Sequence, residues 1–576
     1  MQTYYSIKRR LITVVTLLAF LFVLITVRLS YVQLVKGGEL RKRAYGQWMR
    51  QLPLTAERGD ILDCNGKVLV GSARVYDVYA RPKSVKDPKD ASESLSIILN
   101  LSREEIEEKL TRKGVSDIRI KRGIEPSVAD MIREKDLQGI YLAASTKRSY
   151  ADGTTLSQVL GFVSADNTGQ AGIEAFYEKY LKGIDGKILT PSDLIGDELK
   201  SDYIDYIGAK KGCSVVLTID AEIQKGVETV LDIAYKAHSP KRASCLVLDV
   251  TNGDILAIAS RPGVDLNNLP RGDIELLQNN TRSVLLTDVY EPGSTFKILT
   301  AAASLEEYRK GNPKAFGVAH IFTNNSNYRI VDKGARIKCW TSHANGRHCN
   351  QNISDALKNS CNPIFTDIAL SLGKDTFYEY LKNFGYGQKS GIDSYGEQSG
   401  LLISRKSVTN GDLARIGFGQ SIAVTALQLA MATSAAVNGG YLYTPHLVKR
   451  IEDENGVVRE VYPEVRSRPI SEETSKELRK MLENVVANGG GKNAYIEGYE
   501  VGGKTGTAQK FENGKIARGK YVSSFVGFFP TSEPKYLALV VIDEPVGQSY
   551  GSIVAAPYAK LIFEKIIYLK DVRPRS

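Results

Sequence analysis

The strongest hydrophobic signal lies at the start of the chain. Lys8-Arg9-Arg10 precede seventeen uncharged residues, 11–27, before Arg28 interrupts a weaker apolar stretch reaching Val35. A run of that length is at the short end for a membrane-spanning helix. No small-residue cleavage site follows, so the pattern predicts a retained anchor rather than a removed signal peptide. The basic residues ahead of it predict a cytoplasmic N-terminus, with everything after about residue 36 on the other side of the membrane.

Beyond the anchor, residues 37–210 are mixed, charged and irregular, with one helical stretch over 102–112. A boundary is expected at Gly208-Ala209-Lys210-Lys211-Gly212, where breakers and charges cluster. After it, 214–219 reads as strand, 221–236 as helix, and 243–249 and 254–260 as strands. Two β-rich segments, 521–529 and 536–542, and a helix over 555–568 follow late in the chain. The pattern predicts an α+β fold, helices packed on an antiparallel sheet. Three units are expected: an anchor, 1–36; a mixed pedestal, 37–210; and a catalytic domain, 211–576. A length of 576 residues leaves room for roughly two to four domains.

Three short motifs carry candidate chemistry. Pro292-Gly293 break the chain before Ser294-Thr295-Phe296-Lys297, and 294–309 then reads as an alanine-rich helix. Ser294 and Lys297, three residues apart on one face, supply a nucleophile and its base if burial keeps the amine partly neutral. Ser360-Cys361-Asn362 ends the helical run 353–359 at a turn before Pro363. Ser360 is placed to relay a proton and Asn362 to hold a peptide carbonyl. Lys504-Thr505-Gly506 continues into Thr507, on an inner or edge strand. Lys504, Thr505 and Thr507 suit a carboxylate, Gly506 suits close approach of a substrate backbone, and the N–H groups of Ser294 and Thr507 suit an oxyanion hole. Each motif alone is an ordinary helix start or turn, but their order matches a known set of catalytic motifs.

With these motifs the chain resembles the class B penicillin-binding proteins, D,D-transpeptidases that cross-link peptidoglycan. Tyr290-Glu291-Pro292-Gly293 and Ile416-Gly417-Phe418-Gly419-Gln420 are family-like. So are Glu57-Arg58-Gly59-Asp60-Ile61-Leu62-Asp63-Cys64-Asn65-Gly66, with cysteine where arginine is usual, and the segment 161–183. The resemblance implies the penicillin-recognising serine enzyme fold. It implies attack by Ser294 on a D-Ala-D-Ala stem peptide, inhibition by β-lactams, and no cofactor needed for catalysis. It further implies a membrane polymerase partner of the SEDS glycosyltransferase class, within the division, elongation or sporulation machinery. The pattern over 57–66 leans towards the division and sporulation branch. A D,D-carboxypeptidase or a β-lactamase shares the motifs, but a β-lactamase is about half this length and needs a deacylating base that no motif supplies. A non-catalytic β-lactam sensor would carry more membrane segments or a cytoplasmic signalling part.

Cysteine and charge add two qualifications. Six cysteines are too few for a disulfide scaffold, yet Cys339, Cys349 and Cys361 cluster with His343 and His348. That density allows a Zn²⁺ site beside the second motif; a Cys339–Cys349 disulfide, or thiols that stay reduced, are the alternatives. The net charge of +11 is spread along the chain without a nucleic-acid motif, which fits an anionic envelope and excludes nucleic acid as the expected partner.

Overall fold

The computed structural model describes residues 2–40, 49–191, 205–323, 327–332, 334–341, 348, 350–512 and 515–574. The anchor is a helix, Gln2–Ser30, extended by a π-helical turn, Tyr31–Val35. Arg28 lies within it rather than ending it, so the segment able to cross a membrane is Tyr5–Val35, 31 residues. At about 1.5 Å per residue this exceeds the roughly 30 Å of a hydrocarbon core. Its threonine hydroxyls are satisfied locally: Thr13, Thr16 and Thr26 donate to the carbonyls of Arg9, Ile12 and Phe22 one turn back. Length and composition fit single-pass anchoring.

Compactness divides the chain otherwise than a linear cut near residue 210. One unit comprises Met1–Glu57, Ala73–Lys147 and Gly183–Lys211, the other Arg58–Ser72, Arg148–Lys182 and Gly212–Ser576. In the first, strand Met49–Leu54 pairs antiparallel with Gly186–Pro191, which pairs with Asp205–Ile207. Residues of strand Val68–Ala80 from Tyr76 onward pair antiparallel with Ile118–Ile124. Helices Pro88–Leu99 and Arg103–Leu110 bury Leu95, Leu99, Ile106 and Leu110 with Val78 and Ile120. The helix predicted over 102–112 begins where Ser102 accepts a bond from the Glu105 N–H, an N-cap that satisfies one orphan donor.

The second unit is built on a five-stranded antiparallel sheet. Its order is Ile255–Arg261, Arg242–Asp249, Tyr536–Asp543, Lys515–Phe529, Gly502–Glu512. Successive residues alternate faces. Cys245 and Val247 join the core that includes helices Ala221–His238 and Ala556–Lys570, while Leu246 and Leu248 join the core that includes helix Lys297–Arg309. Both faces are covered, which is why these strands read as almost unbroken apolar runs. The predicted α+β architecture is the one observed.

A buried ion cluster joins the two family-like strings of the N-terminal half. Glu174 Oε2 and Oε1 each lie 2.6 Å from a guanidinium, Arg58 Nε and Arg148 Nε respectively, with side chains 0–2% exposed. Arg58 also reaches Glu178 Oε2 at 2.6 Å and the Glu174 carbonyl at 2.7 Å. In the same segment Gly161 has φ 75, and a Cβ there would stand 1.8 Å from the Ala171 carbonyl oxygen, so only glycine fits.

Candidate active site

Ser294 sits in a 3₁₀ turn, Gly293–Phe296, that runs directly into helix Lys297–Arg309. The sequence predicts one helix from Ser294, and the tighter turn is the difference. It is held by the Thr295 hydroxyl donating to the Pro292 carbonyl at 2.8 Å, which sends Thr295 inward and Ser294 to the cleft. Helix Asn362–Asn383 starts within the second motif, with Pro363 in its first turn, where a missing N–H costs nothing. Ser360 precedes it with φ 54, a left-handed residue that ends the run Ile353–Lys358 and turns the chain.

These elements converge on one amine. Lys297 Nζ lies 3.1 Å from Ser294 Oγ, 3.1 Å from Ser360 Oγ, 2.8 Å from the Ser360 carbonyl and 2.7 Å from Asn362 Oδ1. The Asn362 amide is oriented by Nδ2, which donates to the Lys338 carbonyl at 3.0 Å, so Oδ1 is the atom facing the lysine. Two of the four neighbours, the carbonyl and Oδ1, can only accept. A neutral amine gives them its two N–H bonds and keeps a lone pair for a hydroxyl. The Lys297 side chain is fully buried, and that burial pushes the ammonium down to about 8.

The third motif lies on strand Gly502–Glu512, at the edge of the five-stranded sheet. Lys504 is 1% exposed, its Nζ donates to the Thr505 carbonyl at 3.2 Å, and burial followed by the Lys297 charge holds it well below the usual lysine range. Thr505 and Thr507 line a cleft of about 600 Å³ together with Ser294, Ser360 and Asn362. Thr507 Oγ1 accepts from the Gly551 N–H at 3.0 Å, which leaves its own hydrogen for a group in the cleft. Gly506 differs in its use from the expectation. A Cβ there would stand 2.6 Å from Ser524 Oγ and 2.9 Å from the Pro292 carbonyl, so the glycine admits the serine-bearing turn rather than a substrate.

Of the cysteine and histidine cluster, Cys339, His348 and Cys361 place their ligand atoms within 4.8 Å of one another, with Cys339 Sγ 3.5 Å from His348 Nδ1. A hydrogen bond with the neighbouring Cys339, followed by burial, raises the Cys361 thiol. Cys349 and His343 lie outside the described residues. Sequence reasoning assigned no role to Trp340, which lines the cleft and donates Nε1–H to the Asn359 carbonyl at 2.9 Å. It also assigned none to Phe418 and Gln420, further cleft residues. Their signal was present only as a family-like string.

Residues 243–567 match the penicillin binding protein transpeptidase domain family, and residues 53–217 match the penicillin-binding protein dimerisation domain family. Stage V sporulation protein D of Bacillus subtilis is 38% identical over 99% of this chain and 87% of its own length. The probable peptidoglycan D,D-transpeptidase PenA of Neisseria meningitidis is 30% identical over 98% of this chain and 93% of its own. Among solved structures, penicillin binding protein 2X from Streptococcus thermophilus shares the fold, with TM-score 0.74 at 23% identity, covering 91% of this chain and 81% of that one. Matched over both its catalytic and its N-terminal regions, the chain belongs to the class B penicillin-binding proteins.

Proposed function

We propose that this chain is a peptidoglycan D,D-transpeptidase working through an acyl-Ser294 intermediate. The observation that carries the reading is the buried Lys297 amine, 3.1 Å from Ser294 Oγ and bonded to Asn362 and Ser360. Ser294 Oγ attacks the carbonyl of the penultimate D-Ala, and its proton passes to Lys297. The C–N bond to the terminal D-Ala breaks, and Ser360 relays the proton from Lys297 to the departing amine. The amine of a second stem peptide then attacks the ester, forms the cross-linking amide and returns a proton to Ser294. The N–H groups of Ser294 and Thr507 form the oxyanion hole, while Lys504, Thr505 and Thr507 hold the substrate carboxylate. A β-lactam opens on the same oxygen and leaves a stable ester. Intact-mass analysis after penicillin, with peptide mapping, tests this: the adduct is expected on Ser294 and absent from Ser294→Ala. An adduct that survives the substitution refutes the reading.

Membrane anchoring, with the N-terminus cytoplasmic and everything after about residue 36 outside, puts the catalytic residues on the side of the cell wall. The region over 37–210 serves as a pedestal and 211–576 as the catalytic domain, with Arg58–Ser72 and Arg148–Lys182 built into the compact unit of the latter. A SEDS-class glycosyltransferase in the membrane supplies the glycan strands, and the sporulation name of the Bacillus subtilis relative favours work during sporulation.

Zn²⁺ bound by Cys339, His348 and Cys361 is the further part of the reading, with Cys349 or His343 as the remaining ligand. Two cysteine sulfurs and an imidazole nitrogen converging within 4.8 Å are a suitable donor set once the thiols give up their protons to the metal. Cys361 stands between Ser360 and Asn362, so these ligands would brace the turn that carries both. Metal analysis of protein purified without chelator should find about one zinc per chain, and chelation should lower the thermal midpoint. Metal-free protein with an unchanged midpoint rules the site out.

A further inference from the structure

One wall of the cleft is formed by the turn between helix Asn410–Ile416 and strand Ile422–Thr425, which contributes Phe418 and Gln420. Four ties fasten this turn and the strand after it to the serine-bearing segment. The strand pairs with Val289–Tyr290. The Gly419 carbonyl accepts from the Gly293 N–H at 2.9 Å, and the Gly417 carbonyl accepts from Thr300 Oγ1 at 2.7 Å. The Ser421 N–H donates to Glu291 Oε1 at 2.8 Å. Ser421 has φ 56, a conformation that a residue with a Cβ keeps only where its surroundings hold it. Glu291 is that hold. Among the described residues its second oxygen, Oε2, is buried without a hydrogen-bond partner, so the one hydrogen bond the carboxyl group makes there goes to this turn.

The Gln420 side-chain amide, by contrast, makes no hydrogen bond among the described residues, although it faces the cleft. A primary amide presents a donor and an acceptor side by side, the complement of a peptide amide. In the acyl-Ser294 reading, on which this inference rests, the terminal D-Ala-D-Ala unit is served by Ser294, Thr505 and Thr507. Gln420 is left for the residues that precede that unit. We propose that Gln420 binds a backbone amide of the donor stem peptide ahead of D-Ala-D-Ala, and that Glu291 is the positioning residue that holds its turn.

The test uses the full chain in detergent and two donors, a stem pentapeptide and an N-acyl-D-Ala-D-Ala dipeptide, with D-Ala release as the readout. Gln420→Ala should lower kcat/KM for the pentapeptide about ten-fold, mainly through KM, and leave the dipeptide within about two-fold. Glu291→Ala should reproduce that loss, whereas Glu291→Gln, which retains an acceptor oxygen, should stay within about two-fold of the parent. Equal losses on both donors, or no loss on either, overturn the role of Gln420. A Glu291→Gln variant as weak as Glu291→Ala overturns that of Glu291. Penicillin labelling keeps the two readings apart: labelling of Ser294 in the parent and in Gln420→Ala upholds the acyl-enzyme whatever the peptide kinetics give, and failure to label the parent overturns the acyl-enzyme and with it this inference.

Discussion

Lys297 and Asn362 fix each other: Oδ1 takes an N–H of the amine at 2.7 Å, and the other end of the amide is tied to the Lys338 carbonyl. An oriented acceptor at that distance decides which way the lysine lone pair points. Replacing Asn362 by alanine frees the amine and should slow acylation by penicillin about ten- to a hundred-fold. Asn362→Asp puts a carboxylate there, favours the ammonium and should move the pH profile of acylation upward. Stopped-flow acylation of both variants checks this, and an unshifted profile in the aspartate variant would count against it.

The parent enzyme has its own pH signature. Because burial pushes Lys297 down to about 8, the amine is charged and cannot accept a proton below that value. Acylation should therefore rise with pH through about 8 and level off above it. A rate that is flat from about pH 6 to 9 would remove Lys297 as the base.

Gly506 should tolerate no side chain. A Cβ 2.6 Å from Ser524 Oγ and 2.9 Å from the Pro292 carbonyl must push the edge strand away from the serine-bearing turn. Gly506→Ala should lose at least about ten-fold in acylation, with a smaller fall in thermal midpoint, measured on the same preparation by labelling and calorimetry.

The buried cluster of Arg58, Arg148 and Glu174 predicts a stability effect. Glu174→Gln leaves two guanidinium groups that are 1–2% exposed without their shared counter-charge. The loss should be about 3–5 kcal/mol, read from denaturant unfolding.

His446 predicts a pH dependence of stability. Burial alone would lower this imidazole, but the hydrogen bond and charge of Asp254, 2.8 Å away, outweigh it and hold it above its ordinary value. A raised folded value stabilises fully below the unfolded value of about 6.5 and is lost as pH rises through the folded one. The difference in thermal midpoint between the parent and His446→Gln should be widest below about pH 6.5 and shrink at alkaline pH.

The three motifs were readable because each is a few residues long and its chemistry depends on local spacing. Ser294 and Lys297 meet across one turn, and Ser360 and Asn362 flank one bend. The strands of the five-stranded sheet were readable from their apolar runs, though the pairing order was not, since a run says nothing about its neighbour. What stayed hidden were relations across long stretches of chain. Arg58 meets Glu174 over 116 positions, and Glu291 meets Ser421 over 130, with no periodicity to mark either. Gly506 was misread for a related reason. The need for glycine is visible in a motif, but whether ligand or protein fills the space is set by packing.

The interleaving of the second unit bears on where the gene can be cut. Tyr177 donates to Asp393 at 2.7 Å, Glu228 accepts from the Leu156 N–H at 3.0 Å, and Ile61 runs parallel beside Val215. A fragment starting at Gly212 keeps every motif residue yet strips away Arg58–Ser72 and Arg148–Lys182, leaving these carboxylates and a strand edge bare. Recombination between relatives that exchanged only the region after residue 211 would need matching partners in both earlier segments, so the heritable block is the interleaved unit and not the contiguous C-terminal stretch.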